Sequence, residues 1–174
     1  LLQKSEPVSL KEELPSFSEF IKTDYFMDRA SILGASMLPV KATDSVLDMC
    51  AAPGGKTLIL ALKLEGKGKL VSNDRSANRR NRLINVIEDC LYDNYKTIIT
   101  VTGHDSTKWG LYEKDSYDCV LLDAPCSSER HVINDETALS QWGPNRPKML
   151  SSQQFAMAVA ALDAVKIGGY ILSS

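Results

Sequence analysis

The sequence has no C-x-x-C pair. Its four cysteines, Cys50, Cys90, Cys119 and Cys126, are scattered, and the only two histidines are His104 and His131. No familiar zinc spacing can be written from them, so no metal site is expected and the cysteines read as reduced thiols of an intracellular protein. A surplus of positive charge is also missing: 20 Lys and Arg stand against 22 Asp and Glu, a formal net charge of -2. A generic phosphate-binding surface is thereby excluded, and nucleic-acid binding has to be local or shared with a partner. No apolar run approaches the roughly 20 residues that a membrane-crossing helix needs. With 10 Gly and 7 Pro in 174 residues, the chain is neither collagenous nor low-complexity. It opens on Leu1, with no charged-then-apolar signal segment and no starting methionine, and so reads as trimmed at its N-terminus.

What remains is 44% hydrophobic and 24% charged, the composition of an ordinary globular domain, at a length that suits one core and not several. Residues 1–24 mix charge, Ser and Pro15 with scattered apolar positions and read as a short helical or irregular lead-in. From Ser45 the pattern becomes short apolar runs alternating with helical periods. Val46-Leu47-Asp48-Met49, Leu70-Val71-Ser72-Asn73, Ile98-Ile99-Thr100-Val101, Cys119-Val120-Leu121-Leu122 and Tyr170-Ile171-Leu172 are the expected strands. Strands separated by helices mean parallel β-α units and an α/β, Rossmann-like fold.

Between the strands, Thr57 to Leu64 is strongly apolar, and Leu83, Val86, Ile87, Cys90 and Leu91 recur at helical spacing within 76–91. Ser151 and Gln154 form a capping-box pattern that predicts a helix start. Phe155, Val159, Leu162 and Val165 follow as its apolar stripe, ending before Gly168-Gly169. Ser127 to Leu150 is the longest stretch without clear periodicity, which in a compact domain is often functional.

In an open parallel sheet, ligands bind outside the carboxyl ends of the strands. The first strand runs into Cys50-Ala51-Ala52-Pro53-Gly54-Gly55-Lys56-Thr57, small residues whose backbone N–H groups can approach a ligand ahead of a helix N-terminus. Gly55-Lys56-Thr57 ends like a phosphate-binding loop, but the first glycine of that motif would fall at Cys50. The dinucleotide G-x-G-x-x-G cannot be written at all. The second strand ends at Asn73-Asp74, where an acid about 20 residues after the glycine loop suits two ribose hydroxyls, although Asp also caps helices. Gly103-His104-Asp105 and Asp123-Ala124-Pro125-Cys126 follow the third and fourth strands. Together these four strand ends describe a nucleoside-binding crevice.

Asp48-Met49-Cys50-Ala51-Ala52-Pro53-Gly54-Gly55-Lys56-Thr57 together with Leu122-Asp123-Ala124-Pro125-Cys126-Ser127 resembles the RNA cytosine-5 methyltransferases, the Sun-domain enzymes that use S-adenosyl-L-methionine. The resemblance runs from about Tyr25 to the last residue. Ser128-Glu129-Arg130-His131 and the 103–110 stretch are most similar to the family's mitochondrial ribosomal-RNA member. It implies a class I methyltransferase domain over 25–174 in which Cys50, Ala51, Ala52, Pro53, Gly54, Gly55 and Lys56 wrap the methionine part of the cofactor. Asp74 would hold the ribose with Arg79 nearby, Asp105 and Ser106 would border the adenine, and Asp123 would lie between cofactor and target base. Cys126 would be an active-site thiol.

Cytosine C5 is a poor carbon nucleophile. A thiolate adding at C6 makes an enamine-like ring that can attack a sulfonium methyl, after which a base removes the C5 proton and the thiolate leaves. In the family the attacking cysteine lies in a Thr-Cys pair after the fifth strand, and the Pro-Cys thiol, here Cys126, assists breakdown of the adduct. Alignment on that pattern places the attacking cysteine two positions beyond Ser174, so the chain is expected to stop short of its nucleophile and of the closing strands of the sheet.

The resemblance implies RNA as substrate, ribosomal RNA first and transfer RNA as the alternative. The acidity leaves room for an accessory RNA-binding protein, and the mitochondrion is the expected compartment, with nucleolus and cytoplasm as alternatives. Two rival readings stand beside it. An adenine amino-group methylator would carry D/N-P-P-Y/F where this chain has Cys126, and a catalytically inactive scaffold would keep cofactor and RNA binding without the chemistry. Arg75, Arg79, Arg80 and Arg82 suit a solvated face as well as RNA, with Arg79 set apart by the family pattern. His131 reads as a surface loop residue, Trp142 as a packing anchor, and Cys90 and Cys119 as buried and inert.

Overall fold

The computed structural model describes residues 6–125 and 145–174. Five parallel strands form the main sheet in the order β5-β4-β3-β6-β7. They are β3 (Ser45–Asp48), β4 (Lys69–Asn73), β5 (Ile99–Thr102), β6 (Tyr117–Leu122) and β7 (Val165–Ser173). Val46 pairs with Leu70 on one side and Cys119 on the other, so β3 is the central strand from which the chain winds outward in both directions.

Alternation along the strands makes two cores. Val46, Leu70, Cys119 and Leu121 face a cluster with helices α2 (Arg29–Met37), α3 (Gly55–Lys63) and α4 (Ala77–Cys90), and with the short α5 (Asp93–Lys96). Leu47, Val120 and Leu122 face the opposite cluster, with Trp109 from a 3-10 helix (Ser106–Leu111) and Met157, Ala160, Ala161 and Ala164 from α6 (Asn145–Ala164). The result is a three-layer α/β/α arrangement around a parallel, Rossmann-like sheet, as expected from strands alternating with helices.

The lead-in is part of this packing. A two-stranded antiparallel ribbon joins β1 (Val8–Ser9) to β2 (Phe26–Met27). The short helix α1 (Leu10–Glu13) is N-capped by the Ser9 hydroxyl, which accepts from the Glu12 N–H. Leu10 and Ile21 are fully buried in the first core cluster, and Ile21 bridges Leu91.

Three expectations at the C-terminal end are corrected. The Ser151 capping box does not start a helix: Ser151 lies inside α6, which already includes Asn145, and Pro147 sits in its first turn, where the missing N–H costs nothing. Of the apolar stripe, Val165 lies in β7 and packs against the second cluster, whereas the helical members Phe155, Val159 and Leu162 face outward. Phe155 is 73% exposed and Leu162 66%, while the alanines pack inward because small side chains let the helix lie close against Trp109 and β6. Gly168 and Gly169 do not close that helix either. They lie within β7, where Val165 pairs with Tyr117 but Tyr170 pairs with Cys119. The extra residues bulge out, with Gly168 at φ +82°.

Candidate cofactor and catalytic crevice

The carboxyl ends of β3, β4, β5 and β6 open on one edge of the sheet, and β3 and β6 flank the point where the winding reverses, the usual place for a ligand in such folds. Two adjoining cavities lie there. One, of about 360 Å³, is lined by Cys50, Asp74, Arg75, Ser76, Arg79, Asp105 and Ser106, and closed by Pro125 with Gln153 and Met157 of α6. The other, of about 140 Å³, is lined by Cys50, Ala51, Ala52, Pro53, Gly55, Lys56, Asp48 and Asp123, with Tyr25, Met27 and Ser31 from the lead-in and α2. Cys50 belongs to both, so the loop after β3 is their common wall.

That loop can turn so sharply because of its glycines. Gly54, the N-cap of α3, has φ +125°, and a Cβ there would stand 3.0 Å from Cγ1 of Val86 on α4. Gly54 therefore seats the loop against α4 and does not line either cavity. A Cβ on Gly55 would come within 2.8 Å of the Tyr25 ring, so its absence lets the lead-in close over the second cavity. The Ala52–Pro53 peptide is cis.

At the end of β4, Asp74 is buried. One carboxylate oxygen, Oδ1, accepts from the Ser76 N–H at 2.9 Å, an ordinary local turn. The other, Oδ2, has no hydrogen-bond donor; the Arg79 Nε stands 3.4 Å away as an ion pair without hydrogen-bond geometry. Arg79 instead donates to the Ala52 carbonyl, tying α4 to the glycine loop. After β5, Asp105 caps the 3-10 helix by accepting from the Thr107 N–H and hydroxyl. The Thr107 hydroxyl first, with Arg75 adding its charge, holds the Asp105 carboxyl below the usual range. Ser106 is buried and donates to the Met49 carbonyl at 2.7 Å.

After β6, Asp123 Oδ2 pairs with Lys56 Nζ at 2.6 Å. Ser174 Oγ donates to Asp123 Oδ1 at 2.9 Å and accepts from Lys56 Nζ at 3.1 Å, so the chain leaving β7 passes beside this ion pair. Gln154 holds the Pro125 carbonyl at 2.9 Å, joining α6 to the same loop. Cys126, with Ser127, Ser128, His131 and Trp142, lies outside the described residues.

Asp48 was not singled out by the sequence reading. It is buried at the end of β3, accepts from the Thr57 hydroxyl at 2.8 Å through Oδ2, and leaves Oδ1 without a partner. Burial pushes its carboxyl up to about 7, aided by Asp123 and opposed by the Thr57 hydrogen bond. Burial, and then the neighbouring Asp48, pushes the Cys50 thiol up to about 12, which makes it a poor nucleophile. Tyr25 and Gln153 were also missed. Tyr25 lies just after the lead-in, where no motif marked it, and Gln153 is only a neighbour of the residues that form the capping-box pattern.

Among the described residues no cluster of three or more metal-ligating side chains occurs, and no helix is long and apolar enough to cross a membrane. The chain is 39% identical over 154 residues to the 5-cytosine rRNA methyltransferase NSUN4 of Bos taurus, covering 86% of this chain and 40% of that protein. It is 36% identical over 147 residues to ribosomal RNA small subunit methyltransferase F of Pectobacterium carotovorum, covering 80% of this chain and 30% of that one. The chain thus spans about two fifths or less of the curated relatives it matches. The crystal structure of NSun6 from Pyrococcus horikoshii with SFG superposes with a TM-score of 0.69 at 26% identity, over 87% of this chain and 38% of that one. The sequence model of the 16S rRNA methyltransferase RsmB/F family matches residues 35–174, and on that match, with the crevice described above, the chain belongs to this family.

Proposed function

We propose that the protein transfers a methyl group from S-adenosyl-L-methionine to cytosine C5 in RNA, with ribosomal RNA as the substrate. The observation that carries the reading is Asp74 Oδ2, a buried carboxylate oxygen without a hydrogen-bond donor on the wall of the 360 Å³ cavity. An acceptor left unsatisfied there costs free energy that a pair of ribose hydroxyls would recover. The neighbouring groups fit the rest of such a ligand: Asp105 and Ser106 for the base, and the turn from Cys50 to Lys56 for an amino-acid tail at the helix N-terminus. SFG, an analogue of S-adenosyl-L-methionine, accompanies the related archaeal structure, which supports the same choice.

The cofactor supplies the electrophilic sulfonium methyl. The protein's own part is to align and to move protons. The Lys56–Asp123 pair lines the smaller cavity, a place for a base whose polar edge needs both a donor and an acceptor. In the full-length protein a cysteine thiolate would add to cytosine C6, C5 would take the methyl as S-adenosylhomocysteine leaves, a base would remove the C5 proton, and the C6–S bond would break to return the thiolate. Cys126, three residues after Asp123, is assigned to assist that last step. With a net charge of -2 the chain has little sequence-independent affinity for phosphate, which supports an accessory RNA-binding protein. The motif likeness to the mitochondrial member supports a mitochondrial location.

Tritiated-methyl incorporation by the full-length protein is expected with ribosomal RNA and absent without it; cofactor binding with no incorporation under any RNA would favour the scaffold reading. In the full-length enzyme, Cys126→Ala should slow adduct breakdown and leave a covalent RNA–protein band on a denaturing gel. Turnover at the wild-type rate with no band would make that thiol structural.

A further inference from the structure

Beneath the crevice, one side chain at the end of β4 touches both the segment after β3 and the segment after β5. Asn73, fully buried at the end of β4, shares the two hydrogens of Nδ2 among three acceptors, the Met49 and His104 carbonyls at 3.1 Å each and the Ser106 hydroxyl at 3.0 Å. Its Oδ1 accepts from the Thr102 hydroxyl at 2.9 Å and from the His104 N–H at 2.8 Å. Both ends of the amide are satisfied, and the orientation is dictated by chemistry. Two of its neighbours are carbonyls, which accept only, so an oxygen could not take the place of Nδ2.

β3 and β5 are not neighbours, since β4 lies between them. The backbone ladder therefore cannot set the distance between the loop after β3 and the loop after β5 directly. Asn73 does so through its side chain, and the Ser106 hydroxyl, which also donates to Met49, completes a triangle of hydrogen bonds. Buried networks of this kind are stiff when fully satisfied.

We propose that Asn73 is a positioning residue that fixes the separation between the methionine loop and the adenine loop, and so the span of cofactor the crevice accepts. It acts without touching the ligand, as Asn73 does not line either cavity. The inference rests on the cofactor reading above and makes a distinction that reading does not: a ligand engaging both loops depends on Asn73, whereas one engaging only the β4 and β5 ends does not.

The test is calorimetric titration of the full-length protein with S-adenosylhomocysteine, which spans both loops, and with adenosine, which spans only the second. In Asn73→Leu, S-adenosylhomocysteine should bind about tenfold or more weaker, with adenosine within about threefold of wild type. Thr102→Val removes one hydroxyl outside the cavities and nearly conserves shape. It should give the same pattern more weakly, about threefold against no change, and stands in if Asn73→Leu does not fold. Equal losses for the two ligands, or no loss for S-adenosylhomocysteine in a folded Thr102→Val protein, would overturn the proposal. Wild-type protein that binds neither ligand would instead overturn the cofactor reading.

Discussion

Asp48 and Asp74 leave neighbouring strands and are both buried, yet their surroundings ask different things of them. Asp74 has Arg79 beside it and an oxygen waiting for a donor. Asp74→Ala should weaken S-adenosylhomocysteine binding by about 1.5–3 kcal/mol, roughly 10- to 150-fold; unchanged affinity by calorimetry would remove it from the site. Asp48 has no cation in contact, and burial keeps its proton on up to about pH 7. The unfolded chain releases that proton near pH 4. Between those values the native state holds the extra proton, so this group's contribution to stability falls as pH rises through the window and is fully lost above it. Urea denaturation at pH 5 and pH 7.5 should show a smaller drop in Asp48→Asn than in wild type. Asp74, Asp105 and Asp123 were legible because each follows a strand whose apolar run was plain. Asp48 was hidden inside its own run, and its isolation depends on contacts made only after the strands assemble.

The segment that joins β3 to α3 is an element whose shape is set by two glycines and two partners. Gly54→Ala would place a Cβ at φ +125° against Val86 and should cost about 1–3 kcal/mol. A thermal melt would register it, and Val86→Ala should recover part of the loss by making room. Strands β3 to β6 were readable because parallel strands buried on both faces appear as short apolar runs. α6 was not. From Phe155 to Leu162 every residue is apolar, so periodicity cannot choose a face. The choice fell to packing, where Met157, Ala160, Ala161 and Ala164 join Trp109 while Phe155, Val159 and Leu162 stay outside. The bulge in β7 escaped for a related reason: a Gly-Gly pair after a helix reads as a stop, and only the register against β6 shows that pairing resumes beyond it. The β1–β2 ribbon has two residues per strand, too short for any alternation to be seen.

At the scale of the whole molecule, winding outward from a central strand divides the chain into two stretches of different standing. β3, β4 and β5, with the loops that carry Cys50, Asp74 and Asp105, are contiguous from Ser45 to Leu111. β6 must then return to the far side of β3, pairing Val46 with Cys119 across a sequence separation that is slow to close. As the polypeptide emerges from the ribosome, the half that carries the Cys50, Asp74 and Asp105 loops can gather before the half that brings Asp123. Pulsed hydrogen exchange during refolding should find β4 amides protected ahead of those in β7; simultaneous protection would mean that the sheet closes in one step. The order matters if the proposed cofactor binds while the chain is still being made. A cofactor added early would tether the first half in its final shape, so metabolite supply could influence how much of the newly made chain matures.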